Sequence, residues 1–368
     1  MRKFVRTIKL TDNLVRLFFS FLVREKYQVP FIEEDEKNFT SYVSNIFLMS
    51  GFILDSCEFD STHQDLVRQL RNQRTTLFLK QMQAKNDMQI IGQKLNQRGI
   101  DYVVLKGLAL NFDGIYEQGI RASRDIDLLV DIHKLREAYE VLKILGFTYA
   151  DKRTQDSVTY MYGHHFPVMI NQNNTKLELH WRVTSTRYYK SCPMAARMLS
   201  SRRISDNNSN IYCPKIEFTL AHILYHGAVH HRMNLGPIFL FDLTAIYLSY
   251  DKKWPIDIDL MSTMSLNKEF DLCREIVEVC GNESKFSSKS MSRIKKLFDN
   301  SHWLRLSDNS KPPLSMELCT IKSKRSISFS PLLSKVREKR HLYQMSYFSF
   351  KLLLLLGYHA LRFLKKRF

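Results

Sequence analysis

Disulfide, secretory and membrane signals are scarce in this chain, and each absence narrows the field. Its 368 residues include 6 cysteines, Cys57, Cys192, Cys213, Cys273, Cys280 and Cys319, none of them in a C-x-x-C pair. No secretory signal opens the chain, so a reduced, cytoplasmic setting with buried thiols is expected. No run reaches the roughly 20 apolar residues of a membrane helix; the best, 352–356, is bounded by Lys351 and Gly357. There is no internal repeat and no aromatic-interleaved RNA-reading motif. Acids are outnumbered, 37 against 55 Lys/Arg, for a net charge of +18. With 44% apolar residues the chain is nevertheless globular, and long enough for two or three domains.

The positive charge is unevenly spread. Residues 284–368 hold 19 Lys/Arg against 4 Asp/Glu, a surplus of 15, which leaves a surplus of 3 for the preceding 283 residues. A basic C-terminal quarter either attracts an anionic partner, nucleic acid or anionic lipid, or serves as a solvated tail. Residues 342–368 combine Tyr347, Phe348, Phe350 and Phe363 with Lys365-Lys366-Arg367. They are expected to form a basic amphipathic helix, either lying on an anionic membrane surface or packed on the body.

Periodicity divides the rest. Residues 1–100 read as helical, with an amphipathic face over 13–19 and one or two helices over 64–98, where proline is absent and glycine appears once. Tyr102-Val103-Val104-Leu105 is a short strand ended by Lys106-Gly107, and a helix starts at Leu108. Residues 132–145 form an amphipathic helix capped by Gly146, and Phe147-Thr148-Tyr149 a further strand. Residues 165–170 and 176–181 flank Asn171-Gln172-Asn173-Asn174 as a β-hairpin, with Pro167 suggesting an edge position for its first arm. Helical patterning returns over 190–282, notably 216–231 and 239–249, and 306–331 reads as a linker or long loop. The expected regions are 1–84 (N-terminal helices), 85–190 (catalytic core), 191–300 (helical domain), 301–341 (linker) and 342–368 (terminal helix).

Chemistry is concentrated in Ser123-Arg124-Asp125-Ile126-Asp127-Leu128-Leu129-Val130. Two carboxylates two residues apart share one face of a strand, and two like charges on that face call for a compensating cation, usually a divalent metal. In Leu177-Glu178-Leu179-His180-Trp181, Glu178 and His180 face one way and the apolar residues the other. If the two strands pair, Asp125, Asp127 and Glu178 converge, a donor set suited to two Mg²⁺ ions, with Mn²⁺ as the alternative. Lys106-Gly107 offers a phosphate-binding turn, and Lys106, Arg121, Ser123 and Arg124 offer positive and hydroxyl groups for a triphosphate. Arg121 could instead pair with a core carboxylate.

The succession Leu105-Lys106-Gly107-Leu108-Ala109-Leu110, Arg121, Asp125-Ile126-Asp127-Leu128-Leu129-Val130 and Glu178-Leu179-His180-Trp181 resembles the uncharacterised nucleotidyltransferase family of the DNA polymerase beta-like superfamily. Residues 220–230 and Phe241-Asp242-Leu243 look like that family's helical half, and the similarity covers roughly 85–285. The resemblance implies an α+β fold: a short mixed sheet flanked by helices, N-terminal helices and a helical C-terminal half. It also implies Asp125, Asp127 and Glu178 as metal ligands and catalytic residues, and transfer of a nucleoside monophosphate from an NTP to an acceptor hydroxyl. Members are often encoded among bacterial polysaccharide-assembly genes, which implies a link to surface polysaccharide production. The superfamily's common Gly-Ser before the aspartates is missing here; Lys106-Gly107 and Ser123 stand well apart, as in some bacterial nucleotidyltransferase toxins. The alternatives are therefore an RNA-modifying toxin-like enzyme and a non-catalytic membrane-surface or assembly factor. Localisation is expected to be cytoplasmic, extending to the inner face of the membrane.

Histidines accompany these groups. His180 can orient Glu178, and His164-His165 precedes the hairpin. His222, His226 and His230 recur every four residues on one helix face but lack the Glu of a metalloprotease pattern and any evident separate ligand. That face is expected to line the cleft or pack on the sheet, with His165, His180 and His226 as supporting residues able to exchange a proton near neutrality.

Overall fold

The change of period near residue 100 marks where helix gives way to sheet. The computed structural model describes residues 27–28, 50–59, 61–121, 123–150, 164–184, 194–205, 211–230 and 238–282. All lie in one of the chain's two compact units, residues 1–155 and 163–308; the other, 156–162 and 309–368, falls outside the described residues. The expected amphipathic face over 13–19, the linker over 301–341 and the terminal helix over 342–368 also lie outside them.

Strand β1 (Tyr27–Gln28) pairs in parallel with β2 (Cys57–Glu58), which follows helix α1 (Ser50–Ser56). The glutamine- and leucine-rich stretch forms one 34-residue helix, α2 (Gln64–Gln97), whose buried positions Ala84, Met88, Ile91 and Leu95 recur at helical spacing. Then come β3 (Tyr102–Val104), α3 (Lys106–Phe112), β4 (Ile126–Val130) and α4 (Leu135–Ile144), the last entered through a 3₁₀ turn, Ile132–Lys134. Gly146, at φ 82°, ends α4 as expected. Its N–H reaches the Lys143 carbonyl at 2.9 Å and the next N–H, of Phe147, reaches Leu142 at 3.0 Å, the double closure of a left-handed C-terminal cap.

Strands β5 (Thr148–Tyr149), β6 (Met169–Ile170) and β7 (Lys176–His180) complete a five-stranded mixed sheet of order β3-β4-β7-β6-β5. Strands β4 and β7 run parallel at its centre; the other pairs are antiparallel. The hairpin forms with its turn at the asparagine cluster, but its first arm is not an edge: β6 lies between β7 and β5. Pro167 instead falls in the gap between β6 and an isolated bridge, His165 to His180, where the ladder is interrupted and no N–H is required.

Period-two alternation gives the sheet two apolar faces. Tyr102, Val104, Ile126, Leu128, Val130, Leu177 and Leu179 pack with α2 and α4. Val103 and Leu129 point the other way, into a cluster shared with α1 and the C-terminal helices. Those elements are α5 (Met194–Ser200), the hairpin β8 (Arg203–Ile204) and β9 (Tyr212–Cys213), α6 (Ile216–Leu224), α7 (Ile238–Ser249), α8 (Ile258–Thr263) and α9 (Asn267–Asn282). Helix α6 widens into a π-type turn over Tyr225–His230. The architecture is the expected α+β one, a short mixed sheet flanked by helices. Among the described residues no helix is long and apolar enough to cross a membrane.

Candidate active site

The parallel register of β4 and β7 sets Asp127 opposite Glu178 and Leu129 opposite His180. All four side chains lie on the face turned away from α2 and α4. Asp125 stands one residue before β4 and two before Asp127, so it continues the same row. The row is sunk into the structure: Asp127 is 4% exposed and His180 1%. The Oδ1 atom of Asp127 accepts from the Lys106 ammonium at 2.6 Å and lies 2.9 Å from His180 Nε2. The same Nε2 lies 3.5 Å from Glu178 Oε2, which is also 3.9 Å from His165 Nε2.

This geometry separates the three acids electrostatically. Burial opposes the charge of Asp127, but Lys106 and the His180 hydrogen bond outweigh it and hold the carboxyl well below the usual range. Glu178 is likewise held down, the hydrogen bond from His180 overcoming burial. Asp125 goes the other way: burial, then the charges of Asp127 and Glu178, push it up to about 7. Lys106 and His180 are both shifted toward their charged forms, burial being overcome by the neighbouring carboxylates. Ligand atoms of Asp127, Glu178 and His180 all lie within 4.8 Å of one another, close enough to share one ion.

Lys106 reaches Asp127 because the chain turns sharply at it. Leu105 is extended, its N–H bonded to the Asp127 carbonyl at 2.9 Å, and Lys106 then takes a positive φ of 56° as α3 begins. A Cβ on Gly107 would lie 2.6–2.7 Å from three guanidinium atoms of Arg121, so only glycine fits against that group. Of the two roles open to Arg121, pairing with a carboxylate is the one present. Its Nε and an η nitrogen bind the two oxygens of Asp242 at 2.9 and 3.0 Å, and the Tyr116 hydroxyl donates to the same carboxylate at 3.0 Å. Arg124 is exposed, and the Ser123 hydroxyl oxygen is buried with no hydrogen-bond partner among the described residues.

Six histidines run on from the carboxylates. Ring centroids are 4.8 Å apart for His165 and His180, 4.4 Å for His164 and His165, 5.3 Å for His164 and His230, 5.8 Å for His226 and His230, and 6.1 Å for His222 and His226. At four of the six, burial favours the neutral imidazole: His164 falls to about 2, His222 to about 3, and His165 and His230 fall in the same direction. The helix face carrying His222, His226 and His230 thus meets the hairpin through His230. Buried acids beside a lysine and neutral bases form a site that can take cations and phosphate and exchange protons.

Tyr116 and the contact of His164 with His230 have no signal in the sequence pattern, and Asp242 enters it only within Phe241-Asp242-Leu243, as part of the resemblance and without a role. Asp242 lies on a helix buried all round, where a lone acid is the only hint of a fixed partner.

No curated protein matches the chain. A family model described as "uncharacterised nucleotidyltransferase" matches residues 53–279, well over half of it, from within α1 to near the end of α9, and so takes in every side chain of the site. The chain belongs to that nucleotidyltransferase family.

Proposed function

We propose that this protein transfers a nucleoside monophosphate from an NTP to an acceptor hydroxyl, releasing pyrophosphate, with divalent cations as cofactors. The observation carrying this reading is the pairing of Asp127 with Glu178 across two parallel strands, on one face, with Asp125 at the head of the row. The donor set fits a metal. Ligand atoms of Asp127 and Glu178 are closely spaced, together with His180, and the site is short of positive charge, as the displaced titration of Asp125 beside them records. Two Mg²⁺ ions, or Mn²⁺, held by Asp125, Asp127 and Glu178 would neutralise phosphate charge and make the acceptor hydroxyl more acidic.

The chain's own groups do the rest. Lys106, already at the Asp127 edge of the site, and Arg124 bind phosphate oxygens and offset their charge as the bond between the α- and β-phosphates breaks. His180 hydrogen-bonds Asp127 and lies close to Glu178, keeping both carboxylates aimed at the same space. The acceptor oxygen attacks the α-phosphorus, its proton passes to Glu178, and pyrophosphate leaves. His165, beside Glu178 and shifted by burial toward its neutral form, can take up that proton, and His226 lies further along the run as a second relay. The family resemblance points the acceptor toward bacterial surface polysaccharide.

The test is incubation of the full chain with each labelled NTP, Mg²⁺ and a cell lysate. Mg²⁺-dependent labelling is expected, falling roughly a hundredfold or more in Asp125→Asn and Asp127→Asn while circular dichroism is unchanged. Wild-type turnover in both variants would sink the metal assignment. Label in the RNA fraction would favour a toxin-like enzyme. Calorimetry showing no Mg²⁺-dependent nucleotide binding would favour a non-catalytic assembly factor.

A further inference from the structure

We propose that Asp242 is a positioning residue for the nucleotide: through Arg121 it fixes the floor on which the Lys106-Gly107 turn rests. The inference rests on the nucleotidyltransferase reading above and adds to it a residue from the helical half, far from the acidic row in sequence.

Arg121 is 12% exposed and Asp242 4%, so their ion pair is shielded from solvent. Two parallel N–H···O bonds fix the guanidinium plane as well as its position, which a single bond would not do. The Tyr116 hydroxyl holds the carboxylate from a third direction. Above this plane sits Gly107. The position its Cβ would take is nearly equidistant from the central carbon and both terminal nitrogens of Arg121, at 2.6, 2.7 and 2.7 Å, so the backbone of the turn lies over the face of the guanidinium. The Arg121 carbonyl also accepts from Asn111 Nδ2 at 3.1 Å, tying the far end of α3 to the same residue. Helix α3 is therefore gripped at both ends by Arg121, and its first residue is Lys106. With its backbone at a φ that non-glycine residues rarely adopt, Lys106 depends on its surroundings to hold that conformation. A tilt of the guanidinium would move the turn and, with it, the ammonium that meets Asp127.

The charge of Arg121 is already matched by Asp242, so its part is support rather than phosphate binding. That distinction sets opposite expectations. If Asp242 only neutralised Arg121, removing its charge would strengthen attraction for a triphosphate. If it positions the turn, removing its charge weakens nucleotide binding.

The experiment compares wild type, Asp242→Asn and Tyr116→Phe as full chains. It uses steady-state kinetics with Mg²⁺ and the NTP the wild type transfers, and amide hydrogen exchange of nucleotide-free protein. Asp242→Asn is expected to raise KM for the NTP roughly tenfold with a much smaller change in kcat. Exchange should quicken over 104–112 and stay unchanged over 126–130 and 176–180. Tyr116→Phe, which keeps the ion pair, should shift both readouts the same way by less. An unchanged or lower KM in Asp242→Asn overturns the proposal, as does unaltered exchange over 104–112. If Asp242→Asn loses protection throughout, Tyr116→Phe decides: a wild-type KM and exchange pattern there leave Asp242 a purely stabilising residue. A wild type that turns over no NTP defeats the nucleotidyltransferase reading instead, and the exchange pattern alone then decides whether Asp242 holds the turn.

Discussion

Three carboxylates in one row do not share their burden equally. Asp127 has Lys106 and His180 in hydrogen-bonding contact and Glu178 has His180 3.5 Å away, whereas Asp125, its carboxyl raised to about 7, bears its own burial and the repulsion of the other two. A raised folded-state value contributes stability that is complete below the ordinary carboxylate range, near pH 4, and lost as pH rises through 7. Asparagine imitates the protonated form, so without metal Asp125→Asn should be more stable than wild type at pH 8, by on the order of 4 kcal/mol, and equal to it near pH 3. Saturating Mg²⁺ should reverse the order at pH 8, because the variant loses a ligand. Thermal denaturation with chelator and with Mg²⁺ checks both halves; a variant less stable than wild type under chelation would contradict the charge deficit. His222 carries the opposite sign. Its imidazole is depressed to about 3, so its contribution is complete above its ordinary value of 6.5 and lost as pH falls toward 3. His222→Leu should therefore remove roughly 1.4 kcal/mol per pH unit from the acid slope of stability across that window, read from urea melts at successive pH values. The spacing of these residues showed that they share faces. Their protonation states came from burial and neighbours that no local pattern records.

Between elements, the register of β7 decides whether Glu178 meets Asp127 or turns into the apolar layer, since a slip of one residue exchanges the faces. A buried acid on α2 holds that register. Asp87 accepts from Gln83 and Asn171 at 3.0 Å each, from Asn173 at 3.4 Å and from the Thr175 hydroxyl. Within the turn, Asn171 Oδ1 takes the N–H groups of Asn173 and Thr175, and Asn174 adopts a φ of 60°. Asp87→Ala leaves these donors without an acceptor and should cost about 2–4 kcal/mol in urea denaturation, with faster exchange over 169–180. A loss under about 0.5 kcal/mol would show that the turn holds itself. The asparagine cluster announced the hairpin, and alternation correctly assigned Glu178 and His180 to one face and Leu177 and Leu179 to the other. Asp87, 84 residues before its partner Asn171, had no local signature. Pro167 pointed to an edge because the proline rule concerns a missing ladder bond, and here the ladder is already broken at that residue. The π-type turn after α6 was equally hidden: one wider turn barely alters an apolar helical pattern.

Taken whole, the molecule separates chemistry from charge. The acidic row lies on the sheet face that carries Val103 and Leu129 into the cluster shared with the helical half, while α2 and α4 close the opposite face with aliphatic side chains. The histidine run and the Arg121–Asp242 pair are found on the side of the helical half as well. The electrostatic surplus is elsewhere in the chain: residues 284–368 carry a surplus of 15, the other 283 residues only 3. Attraction to an extended anionic surface should accordingly be separable from catalysis. Neutralising Lys365, Lys366 and Arg367 to glutamine in the full chain should weaken binding to phosphatidylserine-containing vesicles by roughly 1 kcal/mol per charge, with no change in KM for the NTP. Because such attraction decays within a Debye length of about 8 Å at physiological salt, the wild-type affinity should itself fall steeply between 50 and 300 mM salt. Vesicle affinity that is indifferent to both salt and these substitutions would make the basic segment a solvated tail. A parallel loss of nucleotide affinity would tie the segment to the active site and end the division of labour argued from charge.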